Sequence, residues 1–287
     1  MKSVWLAPAK INHFIHVLGK RDDGYHNIQT IFQFVSLADK LELAIRDDGQ
    51  IVGCYKLKGL EFRDDLIYKA ALLLKKLSGT ELGISVGLDK RIPMGGGLGG
   101  GSSNAAAMLV ALNVLWKLNY PTPKLMSLGA ELGSDVPIFI FGQAAWAEGR
   151  GEILEPIANL SEKVVLLLFP NVQVSTKLVF ADESLPRNAT SLKKTELEAA
   201  NLRNDFQDVT NKLYPEVEKA FVWLSKRCEK VQMSGTGSTL FVIFDSQSEA
   251  EKIRKTVPDN WGAVVTQCLN NSPLLNSLKT YQNMASW

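Results

Sequence analysis

The sequence predicts an α+β fold in two lobes, and three observations carry that expectation. Stretches that alternate apolar and polar residues, such as KLELAIR from Lys40 to Arg46, mark half-buried strands. Stretches with helical spacing, such as LIYKAALLLKKLSG from Leu66 to Gly79, mark amphipathic helices. The two kinds are mixed along 287 residues, a length that suits one large domain or two ordinary ones. The lobes are expected to meet near Glu155, giving an N-terminal lobe 1–155 and a C-terminal lobe 156–287. A hydrophobic share of 46% beside 22% charged residues supplies a sizeable core.

The first third is strand-rich. Arg-Asp-Asp occurs in it three times, beginning at Arg21, Arg46 and Arg63. Paired acids raise the question of a metal, but the first two copies run straight into Gly24 and Gly49. Asp-Gly after a periodic segment is turn chemistry, so these acids are read as solvated turns. The helix after them places Ile67, Ala70, Ala71, Leu74 and Leu77 on one face, and Gly79 suits its C-terminal cap. GISVGLDKRIP alternates again and ends at Pro93, and an apolar helical run, SSNAAAMLVALNVLWKL, follows the glycines. PKLMSLGAELGSDVPIFIFG then predicts a short helix, a loop from Gly133 to Pro137, and a buried strand-like segment. KVVLLLFP is a further buried strand, and Leu185 to Asn204 is polar loop with some helix. MSGTGSTLFVIF reads as a loop entering a strand, and QSEAEKIRKTV as a helix. No internal repeat or low-complexity tract interrupts this order.

Several function classes fall away on composition. A net charge of +2 with scattered charges provides no basic surface for nucleic acid. Cys54, Cys228 and Cys268 are odd in number and far apart, which argues against a disulfide framework or a thiolate metal site. The N-terminus MKSVWLAPAKIN reaches proline and lysine before a signal-peptide core can form, and no apolar run approaches the roughly 18 residues of a membrane span. The expectation is a cytoplasmic protein without nucleic-acid or membrane partners. His13, His16 and His26 lack zinc-binding spacing, and no nucleophile elbow is present.

The stretch IPMGGGLGGGSSNAAA places six glycines within seven residues. Glycine loses more backbone freedom on folding than any other residue, so the stretch must serve a purpose. A helix N-terminus leaves its first N–H groups unpaired and adds about half a positive charge. Ser102 or Ser103 suits its cap, and the glycines let an anion approach the backbone. Strand, glycine loop and helix together make a phosphate cradle. The Walker A alternative fails because Gly101 precedes Ser102 with no lysine. Gly95, Gly97 and Gly100 match the dinucleotide fingerprint, but no acid lies between Asp89 and Glu131 to hold a ribose.

Phosphoryl transfer to an alcohol is helped by a carboxylate near the hydroxyl and by a cation for the developing charge. APAKIN offers Lys10, and GSDVPIF offers Asp135, in a loop where Pro137 is expected to hold Val136 extended.

PAKIN near the start, PMGGGLGGGSSNAAA a third of the way in, and SGTGS near the end together resemble the three ordered motifs of the GHMP kinases. That is the family of galactokinase, homoserine kinase and mevalonate kinase. RDDGYH, GSDVPIF and LPRN bring the resemblance nearer to the branch that phosphorylates a cytidine-diphosphate-linked methylerythritol. It covers nearly the whole chain and implies a two-lobed fold with its active site in the cleft between lobes. It also implies ATP as phosphate donor, with Mg²⁺ whose protein ligands no motif marks. Carried over by motif, Asp135 takes the hydroxyl proton and Lys10 steers charge. Pro93, Met94, Gly95, Gly96, Gly97, Leu98, Gly99, Gly100, Gly101, Ser102 and Ser103 wrap the ATP phosphates. Asn12 helps hold the substrate, Tyr25 and His26 recognise cytosine, and Phe180 covers the opposite face of the base. Two departures stand out: Ser134 replaces a frequent alanine, and Asp65 stands where relatives often carry asparagine, so no adenine contact is assigned there. Two other readings stay open at this point, a kinase for a smaller alcohol and a nucleotide-binding protein without turnover. Binding of cytidine diphosphate separates the first from the leading reading, and release of ADP separates the second.

Overall fold

The computed structural model describes residues 2–157, 160–197 and 202–285. Two long antiparallel strands organise it, β1 (Lys2–Lys20) and β2 (His26–Arg46), joined by the Arg21–Asp23 turn. Lys10 lies opposite Phe34 and Asn12 opposite Phe32, and the register shifts just after Pro8, whose nitrogen cannot donate to a ladder. Trp5, Ala7, Ala9 and Ile11 alternate into the cores, which leaves Lys10 and Asn12 on the other face of β1.

The rest of the first half is β3 (Ile51–Gly53), α1 (Leu66–Ser78), β4 (Gly83–Asp89), α2 (Gly100–Leu115), α3 (Thr122–Leu132), α4 (Val136–Phe141), β5 (Ala145–Glu148) and β6 (Ile153–Pro156). Then come β7 (Val164–Phe169), α5 (Thr176–Ala181), α6 (Gln207–Leu213), α7 (Pro215–Ser225), β8 (Gln232–Met233), β9 (Leu240–Phe244), α8 (Gln247–Arg254), β10 (Gly262–Leu269) and α9 (Pro273–Ala285). The strands run in the order β3-β4-β2-β10-β7-β9-β8; β1 and β5 pair with β2, and β6 with β5. β10 is the seam, pairing with β2 through Cys268 and Leu269 and with β7 along most of its length.

One core lies between β2, β4 and helices α1 to α4; its centre is α2, which is apolar all round and buries Met108, Leu109 and Leu112 completely. Each of those side chains contributes roughly 1.5–3 kcal/mol by leaving water. A second core lies between β7, β9 and helices α5 to α7, with Ile15 and Val17 of β1 packed into it. A third, including Ala9, Ile11, Leu98, Leu167 and Phe241, ties the two together. α9 returns to the first core: Leu274 is fully buried there, and Ser277 accepts from the Leu6 amide. Among the described residues no helix is long and apolar enough to cross a membrane.

Most expected elements are found, with three differences. Val136–Phe141 is a helix rather than a strand-like segment, so Val136 is helical and not held extended; Pro137 sits in the first turn, where its missing N–H costs nothing. Leu77 of α1 is exposed, so the buried face ends at Leu74. The third Arg-Asp-Asp copy is not a solvated turn: Asp65 is buried, caps α1 by accepting from the Ile67 amide, and accepts from the Tyr55 hydroxyl.

Candidate active site

Lys10 is almost fully buried, and its ammonium has three oxygen partners. Nζ lies 2.6 Å from Asn12 Oδ1, 2.9 Å from the Gly97 carbonyl and 3.3 Å from Asp135 Oδ2. An ammonium has three protons, so all are engaged. Asn12 is held in turn, donating from Nδ2 to Thr30 and accepting at Oδ1 from the Gly235 amide. Asp135 precedes α4, and its side chain makes no capping bond. Its carboxylate is about one-third exposed.

The glycine stretch runs past this pair and is pinned from both sides. The Lys10 amide donates to Leu98 O, the Thr239 amide to Gly96 O, and Ser234 Oγ to Gly97 O. Gly97 has φ +75°, and a Cβ there would fall on the Ser234 carbonyl oxygen. The loop therefore takes glycine partly so that it can touch the SGTGS turn, as well as to keep its backbone open. At Gly99, φ is +70° and a Cβ would sit 2.8 Å from the Phe139 ring. Gly99, and neither serine, is the N-cap of α2; Ser102 and Ser103 lie inside the first turn. The serine cap fails because the helix begins two residues earlier, where only a left-handed residue closes the turn. Ser103 Oγ and Asn104 Oδ1 are buried there without a hydrogen-bond partner.

A cleft of about 580 Å³ is lined by Lys10, Asn12, Asp135, residues 93–102 and Phe180. It brings together the catalytic candidates, nearly all of the predicted loop and one of the base-stacking candidates. Ser103 is fully buried and is not among the lining residues. Tyr25 and His26 are not among them either. Tyr25 is exposed with its ring under the Arg150 guanidinium at 4.8 Å, and Arg150 lines the cleft. His26 is buried with its ring 5.0 Å from that of Phe180. Burial, and then the positive charges of Arg187 and Lys20, hold the His26 pKa below its usual value.

Sequence reasoning missed several supports. Asp39 is completely buried in β2, accepting from the Arg91 and Ile92 amides and pairing with Lys90 at 2.6 Å, which fixes the entry to the glycine loop. An acid inside the alternating stretch VSLADKLEL was the available signal. Asn204 donates to the carbonyls of Met233 and Gly235 and anchors the SGTGS turn. Leu57, Leu60 and Leu66 add an apolar wall beside Asp65. Among the described residues no group of three His, Cys, Asp or Glu side chains is placed to hold a metal ion.

A glycine loop leading into a buried helix, lining one cleft together with a lysine–aspartate pair, defines a small-molecule kinase of the GHMP class. The chain matches the GHMP kinases N terminal domain over residues 65–143 and the GHMP kinases C terminal domain over residues 186–263. It is 45% identical over 276 residues to the 4-diphosphocytidyl-2-C-methyl-D-erythritol kinase of Nitrosococcus oceani, covering 96% of this chain and 98% of that one. Against the protein of the same name from Pseudomonas aeruginosa it is 42% identical, covering 96% of each. A crystal structure of 4-(cytidine 5'-diphospho)-2C-methyl-D-erythritol kinase superposes with a TM-score of 0.80 at 33% identity, over 93% of this chain and 99% of that one. A crystal structure of mevalonate kinase, 13% identical, shares the fold at a TM-score of 0.67. The chain belongs to the 4-diphosphocytidyl-2-C-methyl-D-erythritol kinase family of GHMP kinases.

Proposed function

We propose that the protein transfers the γ-phosphate of ATP to the 2-hydroxyl of 4-diphosphocytidyl-2-C-methyl-D-erythritol, in the methylerythritol phosphate route to isoprenoids. The observation that carries this reading is the Lys10–Asp135 pair, 3.3 Å apart, in one cleft with the glycine loop and Phe180. Full-length identity of 40 to 45% with kinases of that name supplies the acceptor.

The residues present fit ATP. The first N–H groups of α2 lack intrahelical partners, and the orphaned Ser103 Oγ and Asn104 Oδ1 lie in the same turn. Residues 93–102, which line the cleft, are assigned to the phosphates with Ser103 buried behind them, and the apolar wall of Leu57, Leu60 and Leu66 suits the adenine. ATP supplies the phosphoryl group. Asp135 accepts the hydroxyl proton as the new P–O bond forms and the bond to ADP breaks. Lys10 keeps its bonds to Asn12 and Gly97; the longer contact to Asp135 is the one it exchanges for a phosphoryl oxygen. Asn12 orients Lys10 and stands beside the acceptor. Tyr25 and Phe180 cover the two faces of cytosine, worth roughly 1–3 kcal/mol per stacked base by comparison with single-strand binders. His26 reads its edge.

Mg²⁺ would supply charge neutralisation on the transferring phosphates; among the described residues no group of three His, Cys, Asp or Glu side chains is placed to hold it. Lobes 1–155 and 156–287, with α9 returning to the first, and a cytoplasmic setting belong to the same proposal. Phosphorus NMR of the product tests the site of transfer. One new phosphomonoester on the methylerythritol carbon 2, with the diphosphate intact, is expected; phosphate at any other position contradicts the reading.

A further inference from the structure

Among the described residues the cations lining the cleft are Lys10, Lys90 and Arg150, and the two lysines are already committed. The Lys10 ammonium has its three oxygen partners, and Lys90 is paired with the buried Asp39 carboxylate at 2.6 Å. Arg150 sits in the turn between β5 and β6, flanked by Gly149 and Gly151, which are left-handed at φ +69° and +109°. The turn is fixed to the sheet: the Ile28 amide donates to the Gly149 carbonyl at 2.7 Å, and the Gly151 amide to the Glu148 carbonyl at 3.0 Å. Glu152 closes it by accepting from the Arg150 backbone amide at one carboxylate oxygen. The other oxygen lies 3.6 Å from Arg150 Nε, too far for a hydrogen bond. Asp23, the next acid along, is occupied by Arg21 and the Tyr25 amide. Among the described residues the guanidinium therefore donates no hydrogen bond, and it lies over the Tyr25 ring, 4.8 Å from its centroid.

We propose that Arg150 anchors the diphosphate of the acceptor substrate, taking its oxygens on the open edges of the guanidinium. The proposal rests on the reading of the acceptor as a cytidine-diphosphate-linked alcohol. In that reading the alcohol lies at Lys10 and Asp135 and the base lies at Tyr25. The diphosphate joins the two, so it must pass the cleft residue that packs on Tyr25, which is Arg150. A guanidinium is a planar fork of donors that matches pairs of phosphate oxygens with parallel N–H···O bonds. Its turn is held to β2 before the substrate arrives, which limits the cost of ordering it on binding. No hydrogen bond of the guanidinium has to be broken first, because the carboxylate beside it is spent on the backbone. With Lys10 reserved for the transferred phosphoryl group and Lys90 for Asp39, Arg150 is the cleft cation left for this diphosphate. The contact with Tyr25 joins two tasks in one side chain, support of the stacking ring and neutralisation of the phosphates beside it.

The test uses the full chain as wild type, Arg150→Met and Arg150→Lys. Calorimetry measures binding of CDP and ADP, and chemical-shift titration measures binding of cytidine. Arg150→Met should weaken CDP roughly 10- to 100-fold, the scale of lost hydrogen bonds between charged partners. Cytidine lacks the phosphates and should weaken by at most about fivefold, the worth of an exposed cation–π contact. ADP binding should not change. Arg150→Lys keeps the charge without the fork, so its CDP affinity should fall between those of the wild type and Arg150→Met. Equal losses for cytidine and CDP would reduce Arg150 to a prop for the Tyr25 ring and overturn the proposal. Unchanged CDP binding in Arg150→Met, or a loss confined to ADP, overturns it as well. Should Arg150→Met not fold, Arg150→Lys decides by the same comparison: a greater loss for CDP than for cytidine is expected, and equal losses overturn the proposal. A wild type that binds neither CDP nor cytidine defeats the cytidyl reading of the site instead, and the diphosphate anchor falls with it.

Discussion

Lys10 and Asp135 face each other because β1 presents alternate residues to the cleft and α4 begins immediately after the aspartate. Since the Asp135 side chain caps nothing, Asp135→Asn should leave the fold intact while removing the proton acceptor. The expected outcome is a fall in kcat of roughly 100- to 10,000-fold, with ATP affinity and the thermal midpoint little changed. Near-normal turnover in steady-state assays would remove Asp135 from the chemistry. The histidines make a separate prediction about pH. Burial lowers the pKa of His13, His16 and His26 below 6.5, so the unfolded chain binds protons that the folded chain refuses. Their contribution to stability is present above the unfolded pKa of 6.5 and is lost as pH falls through it towards the lowered folded values. Urea midpoints should therefore drop between about pH 7.5 and 5.5, above the range where carboxylates such as Asp48 and Asp182, held at about 2, begin to protonate. A flat or rising midpoint contradicts this. At this scale Lys10 and Asp135 were legible because their motifs are local. Asp39, Asn204 and Arg187 were not, since their partners lie 51 to 53, 29 to 31 and up to 161 positions away.

The glycine loop shows what an element demands of its sequence. Gly97 adopts a left-handed backbone and touches the SGTGS turn, whereas a Cβ at Gly101 would meet only Leu66 Cδ1, at 3.7 Å. Gly97→Ala should cost roughly 1–3 kcal/mol of stability through backbone strain, with a further penalty from the displaced turn. Gly101→Ala, within α2, should hold or raise the thermal midpoint. Equal behaviour of the two variants on calorimetry would contradict the assigned geometry. The sequence announced α1, α2 and β7 through period and length. It misled at Val136–Phe141, because six apolar residues fit a buried strand and a buried helix equally well and periodicity cannot separate them. The serine cap was misplaced for a related reason. Ser102 and Ser103 follow the glycines, but the helix starts among the glycines themselves.

For the molecule as a whole, the two outer cores are joined by a third, and β10 is the strand that pairs with both halves of the sheet. The α+β class and the cleft were legible because alternating and helical stretches are intermixed and the motifs fall in a fixed order. The return of α9 to the first core, and the placing of Ile15 and Val17 in the second, depend on contacts between distant parts of the chain. No local pattern encodes them. The central claim is that this fold serves one reaction, phosphorylation of a cytidine-diphosphate-linked alcohol. It is tested most directly by ADP release from the purified protein with ATP, Mg²⁺ and 4-diphosphocytidyl-2-C-methyl-D-erythritol, beside homoserine and mevalonate. Rapid ADP release with the cytidyl substrate and none with the other two is the predicted result; turnover with either small alcohol, or silence with all three, contradicts it.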